Sequence, residues 1–185
     1  SALSTDQIDV ENGSRYGIRY FDESNTPHHP IILHNSPSGA IERVVYALLE
    51  KAALDQKEGR KAQLPLWLAP IQVRIIPLKD EFLSHCENLA DRLSSQEIRV
   101  DIDDRNETLG KRIRESETEW IRYTLVIGEK EVSKLNLSIR DRKTGESKEL
   151  SFDDFVNEIK NQTKDKPFTK LNLARLVSKR PQIMV

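Results

Sequence analysis

The sequence contains a single cysteine, Cys86, among its 185 residues. One cysteine cannot form a disulfide within the chain, and it excludes a metal site that needs several cysteines. No apolar run approaches the roughly 20 residues that a membrane-spanning helix needs, and the first residues have neither the basic nor the apolar part of a signal peptide. These absences predict a cytoplasmic protein with no membrane segment.

The sequence also lacks an excess of charge of either sign. Lys and Arg number 29 against 30 Asp and Glu, and the net charge is −1. This balance argues against a generally basic nucleic-acid coat protein, although a local basic face is still compatible with it. Hydrophobic residues make up 37% and charged residues 32%, a composition typical of a globular chain of one or two domains with a very polar surface.

The first third of the chain has the pattern of short antiparallel strands. Strands are predicted over residues 5–10, 15–20 and 30–34. The dipeptide Asn12-Gly13 predicts a hairpin turn between the first two, and the apolar run Pro30-Ile31-Ile32-Leu33 predicts that the third strand is buried.

A helix follows these strands. Apolar residues recur at helical spacing over residues 38–54 and predict one buried face, with Ser38 as the N-cap. Residues 55–61 have no apolar pattern and are typical of a linker. The predicted domains are therefore residues 1–61 and residues 62–185.

The second domain alternates strands and helices. Strands are predicted over residues 71–76, 97–102, 123–128 and 135–140. Helices are predicted over residues 80–94, 107–119 and 152–162, the last with Ser151 as its cap. Strand–helix alternation at this spacing favours right-handed crossovers and an α/β fold, with a mixed, mostly parallel sheet between flanking helices. Residues 164–185 form a basic tail with little periodicity.

Two polar segments are candidate sites. His34 ends a predicted strand, and Gly39, Glu42 and Arg43 lie at the start of a helix, where an arginine suits a phosphate. The alternative, favoured by the residues alone, is a solvated Glu-Arg pair. The second segment, residues 101–107, follows a strand where ligands collect in open α/β sheets. It lacks the spacing of a metal loop, and a capped helix start with a solvated loop is the alternative.

A third set of charged residues has the chemistry to bind unstacked bases, since Arg offers a planar fork and Glu accepts from amino groups. The set is Asn106, Lys111, Arg112, Arg114, Glu131, Arg140 and Arg142. The alternative is a surface of ion pairs. Between residues 160 and 180, seven basic residues face one acidic residue, which suits a phosphate backbone or, alternatively, a disordered end.

Six strings occur in order along most of the chain. They are Ser4-Thr5-Asp6-Gln7-Ile8-Asp9, Gly39-Ala40-Ile41-Glu42-Arg43, Trp67-Leu68-Ala69-Pro70-Ile71-Gln72-Val73, Ile98-Arg99-Val100-Asp101, Gly110-Lys111-Arg112-Ile113-Arg114 and Gly128-Glu129-Lys130-Glu131-Val132. Together they resemble the threonyl-tRNA synthetases, a family of class II aminoacyl-tRNA synthetases, and its archaeal members in particular. The first string resembles a strand of the catalytic domain, the second resembles the third class II motif, and the third resembles the opening of the anticodon-binding domain.

The resemblance implies an architecture and an activity. Residues 1–61 would be an antiparallel remnant of a class II catalytic domain, and residues 62–185 an anticodon-binding domain with a basic tail. The parent enzyme would form threonyl-adenylate from ATP and threonine, and would transfer the threonyl group to threonine tRNA. It would use zinc, act in the cytoplasm and form a homodimer.

The resemblance also implies roles for individual residues. Arg43 would be catalytic and hold the γ-phosphate of ATP, and Gln7 would lie near the nucleotide or amino acid. His34 would be a zinc ligand in the full-length parent. The anticodon-binding residues would be Asn106, Arg114, Glu131 and Arg140.

The sequence departs from the family in several places. It has no counterpart of the first two class II motifs or of the other zinc ligands, so we expect a C-terminal fragment that is catalytically incomplete and holds no cofactor. Arg122 replaces an expected proline, and Ala40 replaces a serine. The alternatives are a non-catalytic, synthetase-like RNA-binding module and the related domain of a prolyl, histidyl or glycyl enzyme.

Overall fold

A computed structural model describes residues 4–37, 39–134, 136–170 and 172–181. The chain divides into two compact units, Ser1–Leu54 and Asp55–Val185. This division falls before the predicted linker, and the domain limits 1–61 and 62–185 stay a prediction. Among the described residues, no helix is long and apolar enough to cross a membrane.

The first unit contains short strands and most of a long helix. Its elements are β1 (Thr5–Asp9), α1 (Asn12–Arg15), β2 (Tyr20–Phe21), β3 (Pro27–His28), β4 (Ile32–Ser36) and α2 (Ile41–Lys57), which continues into the second unit. β1 pairs antiparallel with β4, and β2 pairs antiparallel with β3.

The predicted hairpin at Asn12-Gly13 is wrong, because this dipeptide begins the short helix α1. One carboxylate oxygen of Asp9 accepts hydrogen bonds from the backbone N–H groups of Glu11 (3.0 Å) and Asn12 (2.9 Å). These bonds turn the chain into a helix instead of a hairpin. The partner of β1 is therefore β4. The strand predicted over residues 15–20 is wrong, since only Tyr20 of this range lies in a strand, β2.

The predicted burial of β4 and of one face of α2 is also wrong. Leu33 is 75% exposed and Ile41 is 79% exposed, whereas Ala52 is buried. The periodicity correctly predicted the strand and the helix, but burial requires a second layer over their apolar side. The described part of this unit supplies no such layer. The predicted N-cap, Ser38, lies outside the described residues.

The second unit is an α/β domain. Its elements are β5 (Val73–Pro77), α3 (Leu83–Ser94), β6 (Val100–Ile102), α4 (Leu109–Thr118), β7 (Tyr123–Ile127), α5 (Glu129–Ser133), β8 (Asn136–Asp141), β9 (Ser147–Ser151) and α6 (Phe152–Thr163). Short 3-10 turns occupy Asp80–Phe82 and Val177–Lys179. Every predicted strand and helix of this domain is present. The predicted cap Ser151 accepts a hydrogen bond from the backbone N–H of Asp154 at 3.1 Å.

The sheet of this unit is mixed, as predicted. In the part of the chain that the structure describes, the strand order is β6-β5-β7-β8-β9. β6, β5 and β7 are parallel, β8 is antiparallel to β7, and β9 is antiparallel to β8. β8 alone therefore runs against the other four described strands. The sequence pattern did not predict α5 or β9, because α5 is only five residues long and β9 is mostly polar.

One face of the sheet packs against α3 and α6 and forms the hydrophobic core. Ile75, Leu125 and Ile139 of the sheet are fully buried there with Phe155 of α6. The ring of Tyr123 meets Phe155 edge to face, with centroids 5.2 Å apart. Cys86 of α3 is buried in the same core, as predicted.

The opposite face of the sheet carries buried charge. Arg74 of β5 and Asp101 of β6 are adjacent in register, and both are 0% exposed. The guanidinium of Arg74 donates to both carboxylate oxygens of Asp101, at 3.0 and 2.7 Å. It also forms an ion pair with Glu119, just after α4, at 2.7 Å. This network links two strands to the end of α4.

The basic tail is not a disordered end in its described part. Leu176 forms a parallel bridge with Ile102 at the outer edge of β6. Arg175 forms an ion pair with Asp91 at 2.5 Å, and Arg180 forms one with the buried Asp101 at 2.9 Å. Acidic partners thus hold two of the basic side chains of this segment in the fold.

Candidate nucleic-acid interface

The position of α4 is set by Arg112, which is buried. Its Nη1 donates to the backbone carbonyl of Pro77, the last residue of β5, at 2.9 Å and to that of Asp103, which follows β6, at 3.0 Å. The hydroxyl of Thr108 caps the helix by accepting from the N–H of Lys111. Arg112 therefore anchors α4 to the carboxyl ends of two strands. The hypothesis that Arg112 binds bases is wrong, because its guanidinium is committed to the fold.

The polar loop after β6 is ordered by ion pairs. Arg105 donates to both carboxylate oxygens of Asp103 (2.8 and 2.7 Å) and pairs with Glu115 of α4 at 2.7 Å. Burial by itself raises the pKa of Asp103, but the hydrogen bonds and charge of Arg105 outweigh it and lower that pKa. The described residues contain no group of three potential metal ligands. The loop is therefore a rigid support that presents Asn106, which is exposed.

Arg114 lies on the exposed side of α4. The spacing of four residues places it one turn from Gly110, beside a shallow cleft of about 590 Å³. The lining of this cleft is Gly110, Lys111, Arg114, Glu115, Thr118 and Glu119. Lys111 forms an ion pair with Glu107 at 2.6 Å. The guanidinium of Arg114 is thus presented to solvent from a helix that Arg112 holds in place.

Glu131 lies just beyond the carboxyl end of β7, in the short helix α5. One of its carboxylate oxygens accepts a hydrogen bond from the backbone N–H of Gly128 at 3.1 Å and caps that helix. A Cβ added at Gly128 would lie 2.6 Å from the side chain of Leu78, so a larger residue here would require that side chain to move. This capping fixes Glu131 near the carboxyl edge of the sheet.

Arg140 lies further along the sheet. In register it is opposite Thr124, near the start of β7, and its guanidinium donates to one oxygen of Glu117 of α4 at 2.8 and 3.2 Å. The hydrogen bond from Arg140 lowers the pKa of Glu117, against a smaller opposing effect of burial. Thr124 precedes the end of β7 by three residues, or about 10 Å of strand. The four predicted residues therefore do not share one edge of the sheet, because Arg140 lies on the face that α4 covers.

Arg142 is a further member of the predicted base-binding set. Its Nε donates to the carbonyl of Glu117 at 2.9 Å, and its Nη1 donates to the carbonyl of Ala62 at 2.5 Å. Its guanidinium thus bridges α4 and the start of the unit, which is a structural role.

The predicted catalytic residues lie in the first unit. Gln7 and His34 are directly opposite each other in the β1–β4 pair, so their side chains share one face of this ribbon. Both are exposed. Arg43 lies in the first turn of α2, where its backbone N–H donates to the carbonyl of Ala40 at 3.0 Å.

The residues around His34 do not fit a zinc site by themselves. Structural and catalytic zinc sites in proteins need three or four protein ligands. Among the described residues, no group of three histidine, cysteine, aspartate or glutamate side chains is placed to hold a metal. His34 thus offers one ligand, opposite an uncharged glutamine.

Comparison with known proteins gives a consistent result for both units. A family model described as "Anticodon binding domain" matches residues 72–162. The chain is 70% identical over all 185 residues to a threonine–tRNA ligase of Nitrosopumilus maritimus and 58% identical to that of Cenarchaeum symbiosum. It is 48% identical over 182 residues to the threonine–tRNA ligase of Pyrococcus horikoshii. The chain spans about 30% of the length of these curated relatives.

A solved structure shows the same fold. It is the RNA binding domain of threonyl-tRNA synthetase from Cryptosporidium parvum, with a TM-score of 0.65 and 24% sequence identity. The match covers 91% of this chain and 40% of that one.

Proposed function

Because the chain belongs to the threonyl-tRNA synthetase family and includes its anticodon-binding domain, we propose that it binds the anticodon of threonine tRNA. The match of residues 72–162 to the anticodon-binding family is the observation that carries this proposal. The exposed polar groups on and beside α4 supply donors and acceptors suited to base edges.

Asn106, Arg114, Glu131 and Arg140 are the proposed anticodon-binding residues. The guanidinium of Arg114 offers paired donors to a base edge, and the carboxylate of Glu131 accepts from an exocyclic amino group. Asn106 offers both a donor and an acceptor. Glu117 orients Arg140, which leaves part of the guanidinium for RNA because the side chain is 41% exposed.

The buried network beneath α4 supports this arrangement. Arg112 holds the helix at the ends of β5 and β6, and Arg105 holds the loop before it. A binding group on a fixed element loses less conformational entropy when its ligand binds. Preorganisation of this kind favours discrimination between bases.

We also propose roles for the first unit within a longer protein. There, Arg43 would hold the γ-phosphate of ATP during formation of threonyl-adenylate, and Gln7 would lie near the nucleotide or amino acid. His34 would be one zinc ligand, with the remaining ligands supplied by other parts of that protein. The longer protein would be a cytoplasmic homodimer, and the 185 residues alone would not activate threonine.

Fluorescence anisotropy with a labelled anticodon stem-loop of threonine tRNA tests the proposal. Replacing Arg114 by Ala should weaken binding by about 1–3 kcal/mol, or roughly 5- to 150-fold, because a bidentate base contact is lost. Arg19→Ala, an exposed arginine of the first unit, is the matched control and should have no effect.

Changing the anticodon triplet should weaken binding to the unmodified chain by a similar factor. Stem-loops of proline, histidine and glycine tRNA should bind less tightly than that of threonine tRNA. Equal affinity for all triplets, or an Arg114→Ala chain that binds as tightly as the Arg19→Ala control, would contradict the proposed site.

A further inference from the structure

A second basic surface lies at the amino ends of the parallel strands. Three adjoining clefts of about 240, 450 and 300 Å³ all include Arg99, which precedes β6. Phe168 lines the first two clefts, and Trp67 lines the first and third. The anticodon residues Asn106 and Glu131 follow the opposite ends of these strands. The two surfaces are therefore separated by the length of β5, or about 17 Å.

The charge of these clefts is strongly positive, although the chain as a whole carries −1. Six basic side chains line them: Lys160, Lys164, Lys166, Lys170, Arg99 and Arg175. The acidic lining consists of Glu97 and Asp165. A cleft with one sign of charge concentrates ligands of the opposite sign.

Three lysines of this surface are available to a ligand. Lys164, Lys166 and Lys170 are exposed, and the structure shows no ion pair for them within the residues it describes. Their neighbour Arg175, in contrast, is paired with Asp91 at 2.5 Å. A polyanion that binds here would thus form new ion pairs without breaking existing ones.

Aromatic rings are interleaved with these lysines. Trp67 and Phe168 are half-buried, so part of each ring remains accessible. The Nζ atom of Lys166 lies 5.9 Å from the centre of the Trp67 ring, and the guanidinium of Arg99 lies 5.8 Å from that of Phe168. Basic grooves with aromatic platforms are the features by which proteins bind nucleic acid without sequence preference.

The walls of the clefts are held by buried hydrogen bonds. Arg99 donates to the backbone carbonyls of Ala69 (2.9 Å) and Trp67 (2.6 Å). Gln72 donates to the carbonyl of Leu66 at 3.0 Å. After α6, Asp165 adopts a positive φ of 58°, which turns the chain so that Lys166 and Phe168 return to the same surface. The surface is thus a fixed part of the fold.

We infer that this surface binds the phosphodiester backbone of the tRNA outside the anticodon triplet. The inference takes from the proposed function only that tRNA is the ligand. Its contacts are to phosphates and to the faces of sugars or bases, so they carry no information about the triplet. The surface would add affinity to a complex whose specificity comes from the opposite side of the domain.

The test uses a triple variant in which Lys164, Lys166 and Lys170 are replaced by Ala. It is compared with the unmodified chain and with a control variant, Lys57→Ala, which removes an exposed lysine of α2. Anisotropy is measured over a range of salt concentrations with two full-length tRNAs that differ only in the anticodon. The triple variant should lose the same factor in affinity for both tRNAs. The slope of log Kd against log salt should fall by about 2–3, since three phosphate contacts are lost and each contributes roughly 0.7–0.9.

Two outcomes would overturn the inference: an unchanged slope and affinity in the triple variant, or a loss confined to the cognate anticodon. Competition by polyglutamate as strong as that by tRNA, at equal charge concentration, would instead assign the surface to acidic proteins and also overturn it. Failure of the proposed function would give a different result from failure of this inference. If the chain does not read the anticodon, the unmodified chain would bind both tRNAs equally, but the salt slope of the triple variant would still be smaller than that of the unmodified chain.

Discussion

Replacing Asp101 by Asn should strongly destabilise the second unit. The carboxylate of Asp101 is fully buried, accepts two hydrogen bonds from Arg74, and pairs with Arg180 at 2.9 Å. Asparagine keeps the size of the side chain but removes the charge, which leaves two guanidinium groups beside a neutral amide. Breaking a buried ion pair by removing one partner costs about 3–5 kcal/mol.

This cost cannot be avoided by loss of a proton from Arg74. Burial by itself lowers the pKa of Arg74, but Asp101 and Glu119 outweigh it and raise that pKa above its ordinary value. Arginine keeps its proton in proteins even without such a partner, so the guanidinium stays charged in the variant. Its remaining partner there is Glu119, which is 46% exposed. Since domains are stable by about 5–15 kcal/mol, the variant should lose a large fraction of its stability.

Urea unfolding followed by tryptophan fluorescence measures this effect, because Trp67 and Trp120 both lie in the second unit. The matched control is Glu107→Gln, which makes the same carboxylate-to-amide change in the exposed pair with Lys111 and should cost less than about 1 kcal/mol. A cost for Asp101→Asn that is no larger than the control would refute the reasoning.

Three other perturbations have defined outcomes. Gly110→Ala should raise the free energy of unfolding, measured in urea titrations, by about 0.5–1 kcal/mol. Alanine favours a helix more than glycine does, and its Cβ would meet no described atom within 4 Å. A loss of stability in this variant would contradict the expectation. Burial raises the pKa of the Cys86 thiol to about 12. A thiol reagent at pH 8 should therefore modify Cys86 only after denaturant is added. Rapid labelling of Cys86 in the folded chain would contradict its burial. Hydrogen bonds, of which the one from Ser24 has the largest effect, lower the pKa of Asp22 from 3.8 to about 2. The ionised Asp22 therefore stabilises the β2–β3 pair above pH 3.8, and this contribution is lost as the pH falls through about 2. An NMR titration that gives an ordinary aspartate pKa for Asp22 would contradict this.

The periodicity of the second unit was sufficient to predict most of its elements. The apolar runs of β5 and β7 and the amphipathic pattern of α3 and α6 each match a buried element. These patterns are strong because each element is covered by neighbours within the same unit. In the first unit the same kind of pattern predicted helix α2 but not its exposure, since periodicity identifies an apolar face without identifying what covers it.

The candidate site could be predicted only in part. Arg112 and Arg114 are equally plausible RNA ligands in the sequence, yet they point to opposite sides of α4, because two residues rotate a helix by about 200°. Leu109 and Ile113 indicated which side faces the sheet. The sequence contained no signal that the carbonyls of Pro77 and Asp103 would accept hydrogen bonds from a buried guanidinium.

Local periodicity and ordered strings of residues were sufficient to predict the class of the fold, the type of most elements in the second unit and the resemblance to the threonyl-tRNA synthetases. The tertiary structure decided which charged groups belong to the fold and which face solvent. A charge is stable in the interior only where another element supplies its partner, and the partner of Arg74 lies 27 residues along the chain. Pairing of this kind depends on the strand order of the sheet, which no local pattern contains.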